Sequence, residues 1–600
     1  MRQADLVLLH APSIYDFRKK SIMFGPVSDL IPSTPIFEMY PIGFVVLSEF
    51  LGRYGYQVRI INVALKMLKS MRYDAEKEIR DLNPLAFGID LHWMPHCHGS
   101  IELARICKRY HPDTPVVFGG LSSSYFHKDL IDNYKDIDYV LRGDSTEKPL
   151  LQLMDYIRTG EGDLAKIPNL TWRDNQGKTR VNPITNVLPD LNGFVVDFSY
   201  VMKKVMRYRD LKGYIPYANW LEYPATAVLN VRGCTHNCKI CGGSAYFFSK
   251  SVNRKKPAFR DPELLSEEIG KISKNLNTPI MIIGDILQNG KDYGIRLLKA
   301  LKKKGIKNPT GFEFFVPPPD DILEMIADSI PRFNIEMSPE SHDEGIRRFF
   351  GRPYGNDELE RMIDTALRLG CERIDLFYII GVPKQDTESV RGTVAYCRKL
   401  YERFGHTKRL LQFISPYAPF IDPGSEAFET PEKFGYKIYC KTVKEHREAM
   451  EQPSWKHILS YETEWMTRDE IVESSYDAAI EINRMRMEFG LVNRRRGLKT
   501  EKRMIQARET VREIDRIMEL QDQKERERQL SALQTKVRNL NENTICDKKD
   551  LEWPVKFIRM RLGWIIKNWW HIEVVHRFQE LKARLTGKPV RISHQLGNRD

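Results

Sequence analysis

Three cysteines within eight residues, Cys234, Cys238 and Cys241, are the side chains of this sequence best suited to chemistry. They follow the apolar run at 225–231 and so occupy a loop at the carboxyl end of a strand. Thiolates are the usual ligands of iron–sulfur clusters. Three of them hold three irons of a four-iron cubane and leave the fourth open to a small molecule, as catalytic zinc keeps an open position. Arg232, Lys239 and loop N–H groups are placed to offset the cluster's negative charge, and His236 and Asn237 to shape the turn. Two alternatives stand beside this: a zinc knuckle, for which His236 alone is near enough as a fourth ligand, and three unrelated buried cysteines.

Such a loop needs a scaffold. Apolar runs at 225–231, 280–283, 311–315, 334–337, 374–380 and 411–415 alternate with helical periodicity, which predicts a partial or full parallel α/β barrel. A separate series at 6–9, 58–63, 85–91, 116–118 and 139–141, with helical patterns at 42–54 and 99–110 among the intervening stretches, predicts a doubly wound parallel sheet. Ligands of such sheets sit at the carboxyl ends of the strands, where Asp90, His92, Gly119, Gly120, Ser122, Ser123, Ser124, Gly143 and Asp144 fall. The expected organisation is an N-terminal Rossmann-like α/β domain (1–165), a proline-interrupted connector (166–221), a barrel (222–430) and a helical C-terminal region (431–600).

The spacing Cys-x3-Cys-x2-Cys resembles the radical S-adenosylmethionine (SAM) superfamily, and the likeness continues beyond it. The resemblance implies SAM contacts from Gly284 and Asp285 at the end of the second barrel strand, with Asp285 in place of the family's Glu as acceptor for the methionine ammonium. It implies others from Glu336, Ser338, Glu340 and Ser341 near the ribose and carboxylate, and from Gly381 and Gln385 near the adenine. A doubly wound domain before the barrel resembles the cobalamin-dependent branch. That likeness implies a cobalamin site of Asp90, His92, Gly119, Gly120, Ser122, Ser123, Gly143, Asp144 and Glu147, with His96 and His98 near the pocket. Asp90-Leu91-His92 begins like the Asp-x-His-x-x-Gly of cobalamin mutases, but Pro95 stands where the Gly would be, and the motif follows the third strand rather than the first. Radical SAM relatives commonly lack the cobalt-ligating His, and some have lost cobalamin.

The resemblance implies a [4Fe-4S] cluster, SAM and cobalamin as cofactors, and C-methylation of an unactivated sp3 carbon. An external one-electron reductant charges the cluster, SAM yields a 5′-deoxyadenosyl radical, and methylcobalamin held by residues 1–160 gives up its methyl group. The sequence is most similar to archaeal members of the branch, one of which methylates a glutamine α-carbon of methyl-coenzyme M reductase. A protein or peptide substrate is therefore expected, that is, a post-translational modification. Lipid or isoprenoid modification is the rival, and a non-enzymatic carrier the other class.

Nine cysteines in 600 residues are too few for a disulfide scaffold, and their clustering suits a reducing, cytoplasmic setting. No run of about 18 uncharged apolar residues occurs, and the first residues read as a strand rather than a signal peptide. A net charge of +13 allows an acidic partner without naming one, and nothing points to nucleic acid. Residues 553–578 hold four of the nine tryptophans; Ile558, Leu562, Ile565, Ile566, Trp569 and Ile572 share a helical face suited to packing on the protein or to peripheral membrane contact. The charged stretch 494–541 is expected to be a solvated helix pair.

Overall fold

Short aliphatic runs form the first strands: β1 (Leu6–His10), β2 (Val58–Asn62), β3 (Ala86–Asp90), β4 (Val116–Gly119) and β5 (Tyr139–Leu141). The computed structural model describes residues 3–20, 39–193, 198–218, 220–417, 419–537, 561–570 and 574. β1, β2 and β3 are buried along their whole length, because helices cover both faces. Leu6 and Leu8 pack with the helices Gly43–Arg53 and Glu147–Thr159, while Val7 and Leu9 pack with Cys97–Tyr110 on the other side. The doubly wound expectation holds, with strand order β2-β1-β3-β4-β5 and every pairing parallel.

The sheet does not stop at 165. β6 (Leu170–Arg173) and β7 (Thr179–Val181) extend it antiparallel beyond β5, and the helix Phe198–Tyr208 docks on it, with Tyr200 donating to the Ser48 carbonyl at 2.6 Å. The stretch 166–221, expected as a connector, is therefore largely part of the first domain. Strands of four and three residues near Pro168 and Pro183 are too short to leave a period-2 pattern, and tertiary pairing creates them.

All six expected barrel strands form: β8 (Thr226–Leu229), β11 (Ile280–Ile283), β12 (Thr310–Phe314), β13 (Phe333–Glu340), β14 (Arg373–Ile380) and β15 (Leu410–Pro416). They pair in parallel in that order, with β8 and β15 at the two edges, so the barrel is partial. The short pair β9 (Val231–Arg232) and β10 (Ala258–Phe259) brackets the cysteine loop. Local chemistry starts the crossover helices: Asp261 accepts from the Glu263 and Leu264 amides ahead of Pro262, and Asp386 caps Thr387–Phe404.

The region 431–600 is not wholly helical, since β16 (Tyr436–Ile438) and β17 (Tyr461–Thr463) form an antiparallel pair. The helices Arg494–Met518 and Gln523–Val537 are the expected charged pair, but they bury Val511, Ile514, Ile517, Leu530 and Leu533 with Trp455 and Tyr476. In the helix Leu562–Trp570 the inward side is not the expected one: Ile566 and Trp569 are 54% and 51% exposed, Asn568 is buried, and Trp564 donates to Ser199 Oγ at 2.8 Å. Docking on the helix Phe198–Tyr208 decides that orientation. Ile558 and Ile572 lie outside the described residues. Among the described residues no helix is long and apolar enough to cross a membrane.

Candidate active site between the two sheets

The carboxyl ends of both parallel sheets face one cavity of about 620 Å³, within the range of small-molecule and cofactor sites. Cys234, Cys238 and Cys241 all line it. The His236 amide donates to Cys234 Sγ at 3.4 Å and the Gly243 amide to Cys241 Sγ at 3.2 Å. Burial pushes the Cys234 thiol up to about 11 and raises Cys238 and Cys241 as well, so these sulfurs become thiolates only when a metal replaces the proton. His236 and Asn237 shape the turn as expected: the His236 carbonyl accepts from the Ala245 amide at 2.8 Å, and Asn237 Oδ1 from the Tyr246 amide at 3.2 Å. The His236 ring packs edge-on against Phe315.

The expected counter-charges are spent elsewhere. Arg232 pairs with Glu147 at 2.7 Å and Lys239 with Glu426 at 2.9 Å. The cation near the thiols is Arg352, which lines the cavity, lies 4.8 Å from the Phe315 ring centroid and reaches Glu340 at 3.3 Å. Its guanidinium keeps its charge although buried, with the Glu340 carboxyl beside it. Arg352 follows Gly351, whose φ is +123° and whose added Cβ would lie 3.1–3.3 Å from the backbone of Asn237 and Cys238. The Gly-Arg pair after the helix Glu344–Phe350 was its only sequence signal.

Of the residues expected around SAM, only Gly284 lines the cavity. Asp285 turns away, accepting from the Leu287 amide at 2.7 Å and the Phe315 amide at 3.1 Å, and burial raises it to about 6. The carboxylate presented beside Gly284 is Glu313 on β12, which accepts from the Gly284 amide at 3.1 Å. Glu340 has φ +68° and is raised to about 7, by burial, while paired to Arg352. Glu336 and Ser338 are partly buried on β13, and Ser341 is fully buried beyond it. Gln385 accepts from the Gly381 amide at 2.8 Å and donates to the Ile379 carbonyl at 3.0 Å, so it locks the turn after β14.

On the opposite side Asp90, His92, Gly119, Gly120, Gly143, Asp144 and Glu147 line the cavity. Ser122 and Ser123 do not; they bind the glycine loop to the loop after β3, with the Ser123 amide donating to the Leu91 carbonyl at 3.0 Å. A Cβ on Gly120 (φ +116°) would sit 2.6 Å from the His92 backbone, whereas beside Gly119 nothing lies within 4 Å. From there the cavity runs along the sheet past Gly88, Leu141, Phe44 and Leu150. His96 and His98 are buried; His96 Nδ1 is 3.0 Å from the Ala11 carbonyl and His98 Nε2 3.3 Å from Glu451. Asp144 and Glu147 cross to the barrel: Arg254 grips both oxygens of Asp144, and Arg232 holds Glu147. Trp93 donates to Asp422 at 3.1 Å, and Asp422 accepts from the Gly242 amide at 2.8 Å, which links the loop after β3 to the cysteine loop.

Residues 33–149 match the B12 binding domain family, and residues 230–397 match the radical SAM superfamily. The chain is a radical SAM enzyme that carries a B12-binding domain. It is 23% identical over 386 residues to the cytidylyl-2-hydroxyethylphosphonate methyltransferase of Streptomyces wedmorensis, covering 57% of this chain and 69% of that one. It is 21% identical to the hopanoid C-3 methylase of Methylococcus capsulatus over 49% of this chain and 51% of the relative. In fold it is similar to the radical SAM methyltransferase TsrM of Kitasatospora setae with cobalamin and a [4Fe-4S] cluster bound (TM-score 0.51, 15% identity, 73% of this chain and 81% of that one). It is similar also to the cobalamin-dependent radical SAM enzyme OxsB with aqua-cobalamin and SAM bound (TM-score 0.51, 12% identity, 98% and 81%).

The cofactors of this enzyme are a [4Fe-4S] cluster, SAM and cobalamin, and the pocket suits them. Three thiols from one loop, with backbone donors and a buried arginine, fit a cluster with one open iron. The apolar slot beside Gly119, which a Cβ would narrow, fits a nucleotide tail laid against the sheet.

Proposed function

We propose that this enzyme transfers a methyl group to an unactivated sp3 carbon. The observation that supports the reading is the cavity shared by the three cysteines and the glycine-lined slot, in which one substrate would reach both cofactors. When bound, the cluster and SAM supply a hydrogen-abstracting radical and cobalamin a methyl donor. The protein's part is alignment and exclusion of water. Cys234, Cys238 and Cys241 would hold the cluster. Glu313 and the Gly284 loop are placed to receive the amino acid end of SAM, with Arg352 as the positive charge beside it. Gly88, Gly119 and Gly143 would admit cobalamin, and the Arg254–Asp144 and Arg232–Glu147 pairs hold the two halves in register.

Within this class we assign a protein or peptide substrate, specifically a glutamine α-carbon in methyl-coenzyme M reductase, on the sequence resemblance to archaeal members of the branch. The mostly apolar lining of the cavity, with the likeness to a hopanoid methylase, favours lipid as the second reading. The test is anaerobic turnover with SAM carrying a deuterated methyl group, followed by mass spectrometry of candidate peptides and isoprenoid lipids. Label carried on a peptide glutamine supports the first reading and label on a lipid the second. Formation of 5′-deoxyadenosine with no label transferred to any carbon would refute methyl transfer. Localisation in the cytoplasm is proposed on the need for a reducing environment around the cluster.

A further inference from the structure

His92 combines three properties found together at no other described histidine. Its Nδ1 lies 2.6 Å from Oδ2 of Asp90. Its ring lines the cavity with the side chain 30% exposed. Its Nε2 has no hydrogen-bond partner among the described residues. Asp90 is itself fixed from behind: it is 3% exposed, and both its oxygens lie 3.1 Å from Nδ1 of the fully buried His10. A buried carboxylate that takes the Nδ1 proton sets the tautomer, stops ring rotation and raises the basicity of the remaining nitrogen, which is the arrangement behind metal-bound histidines. The loop is also fixed in height, because Gly120 lets the His92 backbone press directly on the glycine loop that borders the slot.

We propose that His92, through Nε2, is an axial ligand to the cobalt of the bound cobalamin, with Asp90 and His10 as positioning residues. The inference rests on the cobalamin reading of the pocket. The nitrogen comes from the loop after β3, whereas the Asp-x-His-x-x-Gly motif that its Asp90-Leu91-His92 partly matches follows the first strand.

The test uses the full-length protein loaded with cobalamin, reduced to the cob(II)alamin state and studied by electron paramagnetic resonance, with histidine at natural abundance or labelled with 15N. The expected result is a nitrogen superhyperfine triplet that becomes a doublet with 15N-histidine and disappears in His92→Ala. Asp90→Asn should keep the label-sensitive splitting but weaken it. Bound cob(II)alamin with a spectrum indifferent to the label would overturn the proposal while leaving the function reading intact, whether it shows the triplet of its own dimethylbenzimidazole or no nitrogen splitting. A chain that retains no cobalamin at all would remove the cobalamin reading and this inference together. Stoichiometric zinc or iron in cobalamin-free protein, lost in His10→Ala, would assign His10, Asp90 and His92 to a separate divalent ion and likewise overturn it. Should His92→Ala fail to fold, the labelling of the unaltered protein still decides.

Discussion

The N-terminal sheet and the barrel present the same kind of edge to the same cavity, yet they furnish it differently. The barrel edge is reactive and charged: Cys234, Cys238, Cys241, Glu313 and Arg352 all line the space. The N-terminal edge is mostly glycine and aliphatic apart from Asp90 and His92, and its Asp144 and Glu147 are used to grip the barrel. The barrel side has to hold its group wholly by ligation, which few side-chain types can do. The other side has to hold a large group mainly by shape, which many sequences can do, with His92 as its single proposed ligand. Changes on the barrel side should therefore act all or nothing on one cofactor, and changes on the other side should act by degrees.

The largest effect tests that contrast most directly. Cys238→Ala should abolish cluster iron and reductive SAM cleavage while leaving cobalamin uptake near the unaltered level, measured by iron analysis, 5′-deoxyadenosine formation and the bound-cobalamin spectrum. Cys97, buried in the N-terminal domain, is the control, and Cys97→Ala should keep its iron. Equal loss of iron in both variants would break the comparison.

Next comes the join between the two sides. Arg254 is buried and paired to Asp144, which is partly buried at the cavity wall, and removing the arginine leaves that carboxylate without its partner, at a cost of up to about 3 kcal/mol. Arg254→Ala should thus split a single thermal transition into two, seen by calorimetry, as the domains lose their register. One unshifted transition would show that the pair contributes little.

These cases also mark what the sequence makes legible. The parallel strands of both sheets and the position of the cysteine loop were readable because buried runs and thiol spacing are local patterns. Arg352, Glu313 and the Arg254–Asp144 clasp were not, because each depends on which side chains two distant segments bring together. Asp285 shows the same limit from the other direction. Its place after a strand and a glycine suggests a ligand, but only the fold reveals that two backbone amides already occupy its oxygens. The antiparallel strands β6 and β7 leave no pattern in the sequence because an edge pairing needs only three or four residues.

Two glycines sharpen the comparison symmetrically. Gly120→Ala would force a Cβ to 2.6 Å from the His92 backbone at φ +116°, and Gly351→Ala would press on the cysteine loop at φ +123°. Each should cost about 1–3 kcal/mol of stability. Gly120→Ala should lower cobalamin retention at normal iron content, and Gly351→Ala should do the reverse. Crossed effects, read by the same two spectra, would mean that the loops are not independent. On a smaller scale, Glu313→Gln should weaken SAM binding about tenfold, equivalent to about 1.4 kcal/mol, whereas Asp285→Asn should alter stability and leave SAM affinity nearly unchanged. Equilibrium binding of SAM to the reconstituted protein distinguishes the two.

The smallest effect concerns the barrel interior. Glu336 on β13 is raised to about 8, first by burial and then by the neighbouring carboxylates Asp375 and Glu313. In the unfolded chain a glutamate ionises near 4.5. Between those two values the folded protein keeps a proton that the unfolded chain has released, so stability falls as pH rises through this window and levels off above it. Glu336→Gln removes the titration. Its Tm should match that of the unaltered protein in acid and exceed it progressively towards alkaline pH. The gain should be on the order of 2 kcal/mol, since solvent reaches this partly buried side chain and screens the repulsion. On the N-terminal face of the cavity Asp90 is paired with His10 and His92, Asp144 with Arg254 and Glu147 with Arg232, so a glycine-loop variant should shift Tm equally at every pH. A Glu336→Gln difference that stayed flat with pH would show the carboxylate to be ionised as in water, and the interior of the barrel to be as wet as its rim.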